Sequence, residues 1–188
     1  MKNKKVQLLC EAAIMLALSI VLSFVKIWEM PLGGSVTLIC MLPVMIFAIK
    51  NGTSLGLGTA FMFSLFQLAQ AVMGGDVFPY CGTVGILLLC VILDYIVPFT
   101  CLGLCAIGKK HGVLAIYAGV ISVCVIRFLC HFVTGIVIWG QWAEGMSKTL
   151  YSFLYNAQYM IPELVLTLAA TIILINSKPI RKYLGLTK

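Results

Sequence analysis

The chain has 188 residues, 62% of them hydrophobic and only 10% charged, with a mean hydropathy of +1.09. A water-soluble domain carries about 25% charged residues, so there is too little polar surface here to coat a soluble globule, and the sequence reads as an integral membrane protein. The formal charge of +7 invites a nucleic-acid reading, which the placement of the basic residues excludes.

Met1 to Lys5 is a basic start, followed by an apolar run over 6–27. That run exceeds a signal-peptide core and no small-x-small cleavage site follows it, so it reads as a retained first membrane helix. Lys26, Trp28 and Glu29 form an interfacial cluster at its far end. Ala13 and Ala17 lie four apart, a spacing of small residues that lets another helix approach in lipid or serves packing within the chain. Met30 to Ser35 is a loop broken by Pro31 and two glycines. The second span, 36–49, is short and holds Pro43, which predicts a kink or tilt. The third, 53–73, has Gly52, Gly56 and Gly58 at its start for close packing, and Gln67 and Gln70 in its far half to hydrogen-bond to neighbours.

The fourth span, 83–108, contains Asp94 near mid-bilayer, then Tyr95, with Pro98 placed to bend the helix. A carboxylate within a membrane is costly and marks a functional position by default; the competing reading is an ion pair with Arg127. The fifth span, 112–138, leads into Arg127, His131, Gly135 and Trp139, spaced by four. On a helix they make one stripe about 18 Å long: a fixed cation, a titratable ring, a gap and an indole among apolar residues. Such a stripe must face protein or a cavity, and a cavity of that lining suits a small molecule. After a loop carrying Trp142, Glu144 and Lys148, the sixth span, 151–175, repeats the pattern with Ser152, Asn156, Tyr159 and Glu163 on one face. The basic tail begins at Ser177.

Six spans put both termini on one side, and the positive-inside rule names it as the cytoplasm. Lys2, Lys4, Lys5, Lys50, Lys109, Lys110, Lys178, Arg181, Lys182 and Lys188 then face inward, ten of the thirteen basic residues. Outside lie Lys26 and Lys148 against Glu29, Asp76 and Glu144. The net charge is thus explained by topology, and Asp94, His131, Trp139, Tyr151 and Asn156 fall toward the outer half. The expected fold is an all-α, six-helix membrane domain over 1–188.

The eight cysteines form no C-x-x-C pair, and seven fall within spans, where Cys packs as a small hydrophobe. Zinc-type histidine patterns and the G-x-x-x-x-G-K-[ST] phosphate cradle are missing from the sequence. The expectation is a binding protein with no cofactor, no metal and no chemistry of its own.

Several segments carry a resemblance. Met30-Pro-Leu-Gly-Gly-Ser-Val-Thr-Leu with Met41-Leu-Pro43 resembles the first loop and second helix of the thiamine-specific substrate-binding (S) components of energy-coupling-factor (ECF) transporters. Leu93-Asp94-Tyr95, Arg127-Phe-Leu-Cys-His131-Phe, Gly135, Trp139, Tyr151-Ser-x-x-Tyr-Asn156 and Tyr159-Met-x-Pro-Glu163 are similar to that family's other signatures, in order across nearly the whole chain. The resemblance implies that thiamine is captured outside, while a membrane coupling (T) protein and two cytoplasmic ATPases supply energy. It implies Asp94, Tyr95, His131, Gly135, Trp139, Tyr151 and Asn156 as the ligand pocket, and Ala13 and Ala17 as the docking patch for the coupling protein. The first outer loop is then a lid, with Trp28 its aromatic residue. A family glutamine shortly before the acid is replaced, with Cys90 nearby. Arg127, awkward beside a cationic ligand, is expected to be neutralised by Asp94 or Glu163. Competing functions are an S component for another vitamin or thiamine precursor, a self-sufficient channel or secondary transporter, and a membrane enzyme.

Overall fold

The computed structural model describes residues 3–75 and 78–186; Lys2, Asp76 and Lys188, counted above in the charge distribution, lie outside them. Six main helical segments run back and forth. α1 spans Lys4–Ser23, α2 Leu42–Asn51 and α3 Thr53–Gly74. The fourth crossing, Val84–His111, is broken into α4 (Val84–Cys90), a π-helical turn (Val91–Ile96), α5 (Val97–Thr100) and 3₁₀ turns. α6 spans Val113–Val137 and α7 Lys148–Asn176. A short α8, Lys178–Leu184, follows. Five of these segments are long and apolar enough to cross a membrane, and α2 is the shorter one.

The helix ends follow local chemistry. The Asn3 side chain caps α1 by accepting from Lys5 N–H at 3.2 Å, Thr83 caps α4, and Ser147 caps α7 at Leu150 N–H, 3.2 Å. The Ser147 cap starts α7 three residues before the expected 151. Of the three glycines opening α3, Gly56 makes the close packing: an added Cβ there would run into Ala48 and the Gly103 carbonyl. Gly58 faces open space.

The first apolar run is shorter as a helix than expected. α1 stops at Ser23, and the chain enters an antiparallel hairpin of β1 (Lys26–Glu29) and β2 (Ser35–Thr37), with Trp28 opposite Val36 and Glu29 opposite Ser35. Val25, Ile27, Trp28, Val36 and Thr37 are β-branched or aromatic and favour strand, while Pro31 and the glycines turn the chain. The expected second span, 36–49, therefore begins only at Leu42. Pro43 does not kink it. It sits in the first turn, where a missing N–H costs nothing. Between β2 and α2, Ile39 holds φ 50°, a left-handed conformation rare for a β-branched residue.

α2 is the centre of the core. Val44, Met45, Ala48 and Ile49 are fully buried, alongside Phe63, Leu102, Ile116 and Val120 from the surrounding segments. Apolar side chains such as Val6, Leu9, Ile14, Leu114, Val125, Val165 and Ile173 cover the outside, the pattern expected of a lipid-facing surface.

At the end away from the hairpin, Lys50 Nζ contacts both Glu11 oxygens at 2.8 Å and lies 3.9 Å from the centre of the Tyr183 ring. Tyr183 in turn donates to Glu11. This cluster pins α8, which was read from the sequence only as a tail, against α1 and α2. Ala13 and Ala17 are exposed on α1, so that pair does not serve packing within the chain.

Candidate ligand-binding site

A cavity of about 150 Å³ lies at the hairpin end of the bundle. All seven expected pocket residues, Asp94, Tyr95, His131, Gly135, Trp139, Tyr151 and Asn156, line it. Trp28, the expected lid aromatic, sits on β1, half-exposed and outside the cavity wall.

Asp94 is the hub. It is 5% exposed and lies in the π-helical turn. A π turn holds one residue more than an α turn and commonly marks a functional position. Oδ1 accepts from Thr134 Oγ1 and faces His131 Nδ1 at 3.0 Å. Oδ2 accepts from Trp139 Nε1 at 3.3 Å and from Cys90 Sγ at 3.4 Å. Cys90, one turn earlier, thus takes part in holding the acid. Four donors orient the carboxylate and fix the imidazole and indole against it. His131 Nε2 is buried and has no protein partner among the described residues. In the neutral tautomer that donates from Nδ1 to Asp94, Nε2 is an acceptor.

The stripe predicted on α6 is present as far as Gly135. The helix ends at Val137, and Trp139 lies in a following 3₁₀ turn, Trp139–Trp142. Its indole stays in the wall because Asp94 holds it and because it packs with Tyr80, ring centres 5.4 Å apart, and Trp142, 5.8 Å. Gly135 gives the wall its shape: an added Cβ would collide with Ser152 Oγ and come within 3.1 Å of Asn156 Nδ2. Its missing side chain lets α6 and α7 touch. Ser152 Oγ donates to the Phe132 carbonyl at 2.7 Å. Asn156 Nδ2 donates to the carbonyls of Ser152 at 2.8 Å and His131 at 3.2 Å, and its Oδ1 accepts from Tyr159 Oη at 2.8 Å. Asn156 is therefore a brace between the helices as well as part of the wall.

Arg127 resolves in favour of one of its two candidate acids. Its guanidinium lies 3.5 Å from Glu163 Oε2, 4.7 Å from the centre of the Phe99 ring, and donates to Met41 Sδ at 2.7 Å. The other Glu163 oxygen accepts from Thr37 Oγ1 at 2.7 Å. The competing reading of Asp94 as the partner of Arg127 is thereby overturned. Among the described residues, no Lys or Arg lies within ion-pair distance of Asp94.

The polar lining on α3 had been read only as interhelix bonding. Gln70 Oε1 does accept from Ser23 Oγ at 3.4 Å. Gln67 instead brings a buried Oε1 without a protein partner to the cavity wall. Two glutamines in the far half of an apolar helix were the available signal, but which wall each would join depends on helix rotation.

The comparison with known proteins decides the family. The chain matches the thiamine transporter protein family over residues 9–182. It belongs to that family. Among curated relatives it is 28% identical to the thiamine transporter ThiT of Bacillus subtilis (strain 168), the alignment covering 95% of each chain. It is 24% identical to ThiT of Lacticaseibacillus paracasei, over 95% of this chain and 91% of the relative. A solved structure of ThiT from Listeria monocytogenes superimposes with a TM-score of 0.76 at 22% identity, covering 97% of this chain and 99% of that one. That likeness establishes the fold. The chain is an all-helical, multi-pass membrane member of a thiamine transporter family, and its hairpin, π turn and buried carboxylate are built on that scaffold.

Proposed function

We propose that the chain captures thiamine in this cavity from outside the cell and imports it as the S component of an ECF-type transporter. The carrying observation is the charge balance of the cavity. Arg127 is matched by Glu163 and Lys26 by Glu29. Asp94 has no Lys or Arg within ion-pair distance among the described residues; its partners are Thr134, Trp139, Cys90 and the His131 ring. A buried carboxylate without a cation favours a ligand that brings one, and thiamine carries a thiazolium. Trp139, Tyr95 and Tyr151 supply aromatic faces; a cation over such a face gains about 0.5–2 kcal/mol. His131 Nε2 is an acceptor suited to the exocyclic amine of the aminopyrimidine.

The basic residues support a cytoplasmic placement of both termini, so that the hairpin end opens outward. The exposed Ala13 and Ala17 on α1 suit docking of a membrane coupling protein. Two partner ATPases supply the energy, in keeping with a chain that has no phosphate cradle.

The test is a thiamine titration of the purified protein followed by tryptophan fluorescence. Saturable quenching, abolished by Trp139→Ala, is expected. No response from folded protein, with a response to another vitamin or a thiamine precursor, would replace thiamine as the ligand.

A further inference from the structure

The hairpin over the cavity is poorly anchored by its own strands. β1 is exposed along its whole length, and the two strands are only four and three residues long. A two-stranded hairpin of that size is at best marginally stable alone. Yet residues from it, including Lys26, Gly34, Ser35 and Thr37, form one wall of the cavity. Something outside the hairpin has to hold it down.

The geometry points to Tyr155 as that latch, a positioning residue that holds the hairpin closed over bound ligand. Its phenol oxygen, on α7, donates to the Pro31 carbonyl and accepts from Gly34 N–H at 3.1 Å. One side chain thus bridges both flanks of the turn, which is itself closed by Met30 N–H on the Gly34 carbonyl at 2.7 Å. Gly34 is shaped for this contact. An added Cβ would lie 2.9 Å from Tyr155 Oη and 3.0 Å from the Tyr159 ring. The Tyr155 ring lies 5.9 Å from both Tyr151 and Tyr159, stacked on the first and edge-on to the second. Both neighbours, and Tyr155 itself, line the cavity. A ligand that settles Tyr151 and Tyr159 therefore also settles the ring that carries the latch. Its two hydrogen bonds exist only with the hairpin down, so both must break before a bound ligand can leave.

This inference rests on the capture reading above, and the experiment separates the two. Thiamine association and dissociation are followed by stopped-flow tryptophan fluorescence on the full-length protein, wild type against Tyr155→Phe, which keeps the ring packing and removes the hydroxyl. Loss of the hydroxyl bonding should raise the dissociation rate about 5- to 10-fold, as expected for neutral hydrogen bonds. Gly34→Ala, which displaces the latch from the other side, should act in the same direction. Hydrogen–deuterium exchange over residues 26–37 of the thiamine-bound protein should quicken in both variants. Unchanged dissociation and unchanged exchange in folded Tyr155→Phe would overturn the latch. If the wild type binds no thiamine, the capture reading fails instead. Exchange of the hairpin in the ligand-free variants then still decides whether Tyr155 holds it.

Discussion

Thr37 and Glu163 stand 126 residues apart in sequence and meet through a 2.7 Å hydrogen bond. The contact joins the end of the hairpin to the middle of α7, and it uses the carboxylate oxygen that Arg127 leaves to others. Glu163 is therefore a junction of hairpin, α6 and α7, at the base of the cavity.

Removing the acid alone should be severe. Glu163→Ala leaves a guanidinium with a 6% exposed side chain without its counter-charge, and breaking a buried pair in this way costs about 3–5 kcal/mol. The double variant Arg127→Met with Glu163→Leu should recover most of that loss, because it leaves no buried charge. Thermal unfolding in detergent measures both. A double variant as unstable as the single would mean that the Thr37 bond, rather than the charge pair, carries the stability.

Asp94→Asn tests the charge of the cavity while keeping its shape. An amide keeps one acceptor oxygen, so it can accept from Thr134 or from Trp139 but not from both, and it offers a cationic ligand no opposite charge. Hydrogen bonds involving charged groups contribute about 1.5–3 kcal/mol, so thiamine affinity measured by calorimetry should fall by about 10- to 100-fold. Cys90→Ala, which removes one weak donor, should cost far less. Equal affinity for Asp94→Asn and wild type would remove the electrostatic basis of recognition.

Gln67 makes an opposite pair of predictions for stability and binding. Its Oε1 is buried without a protein partner among the described residues, a condition that costs about 1–3 kcal/mol. Gln67→Leu should leave the melting temperature unchanged or raise it. If a ligand donor satisfies that oxygen, the same change weakens thiamine binding by about tenfold. Unaltered affinity would place Gln67 outside recognition.

The exposed alanines of α1 give a prediction about assembly. Ala17→Trp adds bulk where nothing in the chain is displaced, so folding and thiamine binding should match wild type. Uptake in cells that also carry the coupling protein and ATPases should be lost. Full uptake would show that docking uses another face.

The periodicity of α6 and α7 made much of this legible from the sequence. Spacing by four brought Arg127, His131 and Gly135 to one wall, and spacing by seven brought Asn156 and Glu163 to one face of the facing helix. The hairpin was not legible, because Val25 to Trp28 continues an apolar run and strands of three or four residues leave little periodicity to read. Pro43 was read as a kink when it is a helix start, a distinction set by where the strand before it ends. The π turn around Asp94 has no residue signature. The partner of Arg127 was undecided because Asp94 and Glu163 are both membrane-embedded acids, and only helix rotation distinguishes them.

The brevity of α2 has a further consequence. Its ten residues rise about 15 Å, roughly half the depth of a hydrocarbon core of about 30 Å. The other crossings run the full depth, so the bundle is missing half a helix along its axis. Cys40, two residues before α2 begins, lines the cavity together with Asp94, His131 and Gln67, and the hairpin forms another of its walls. Extending α2 toward its N-terminus by one turn, about 5.4 Å, would wind Ile39, Cys40 and Met41 into the helix and so rebuild the stretch from which Cys40 reaches the cavity wall.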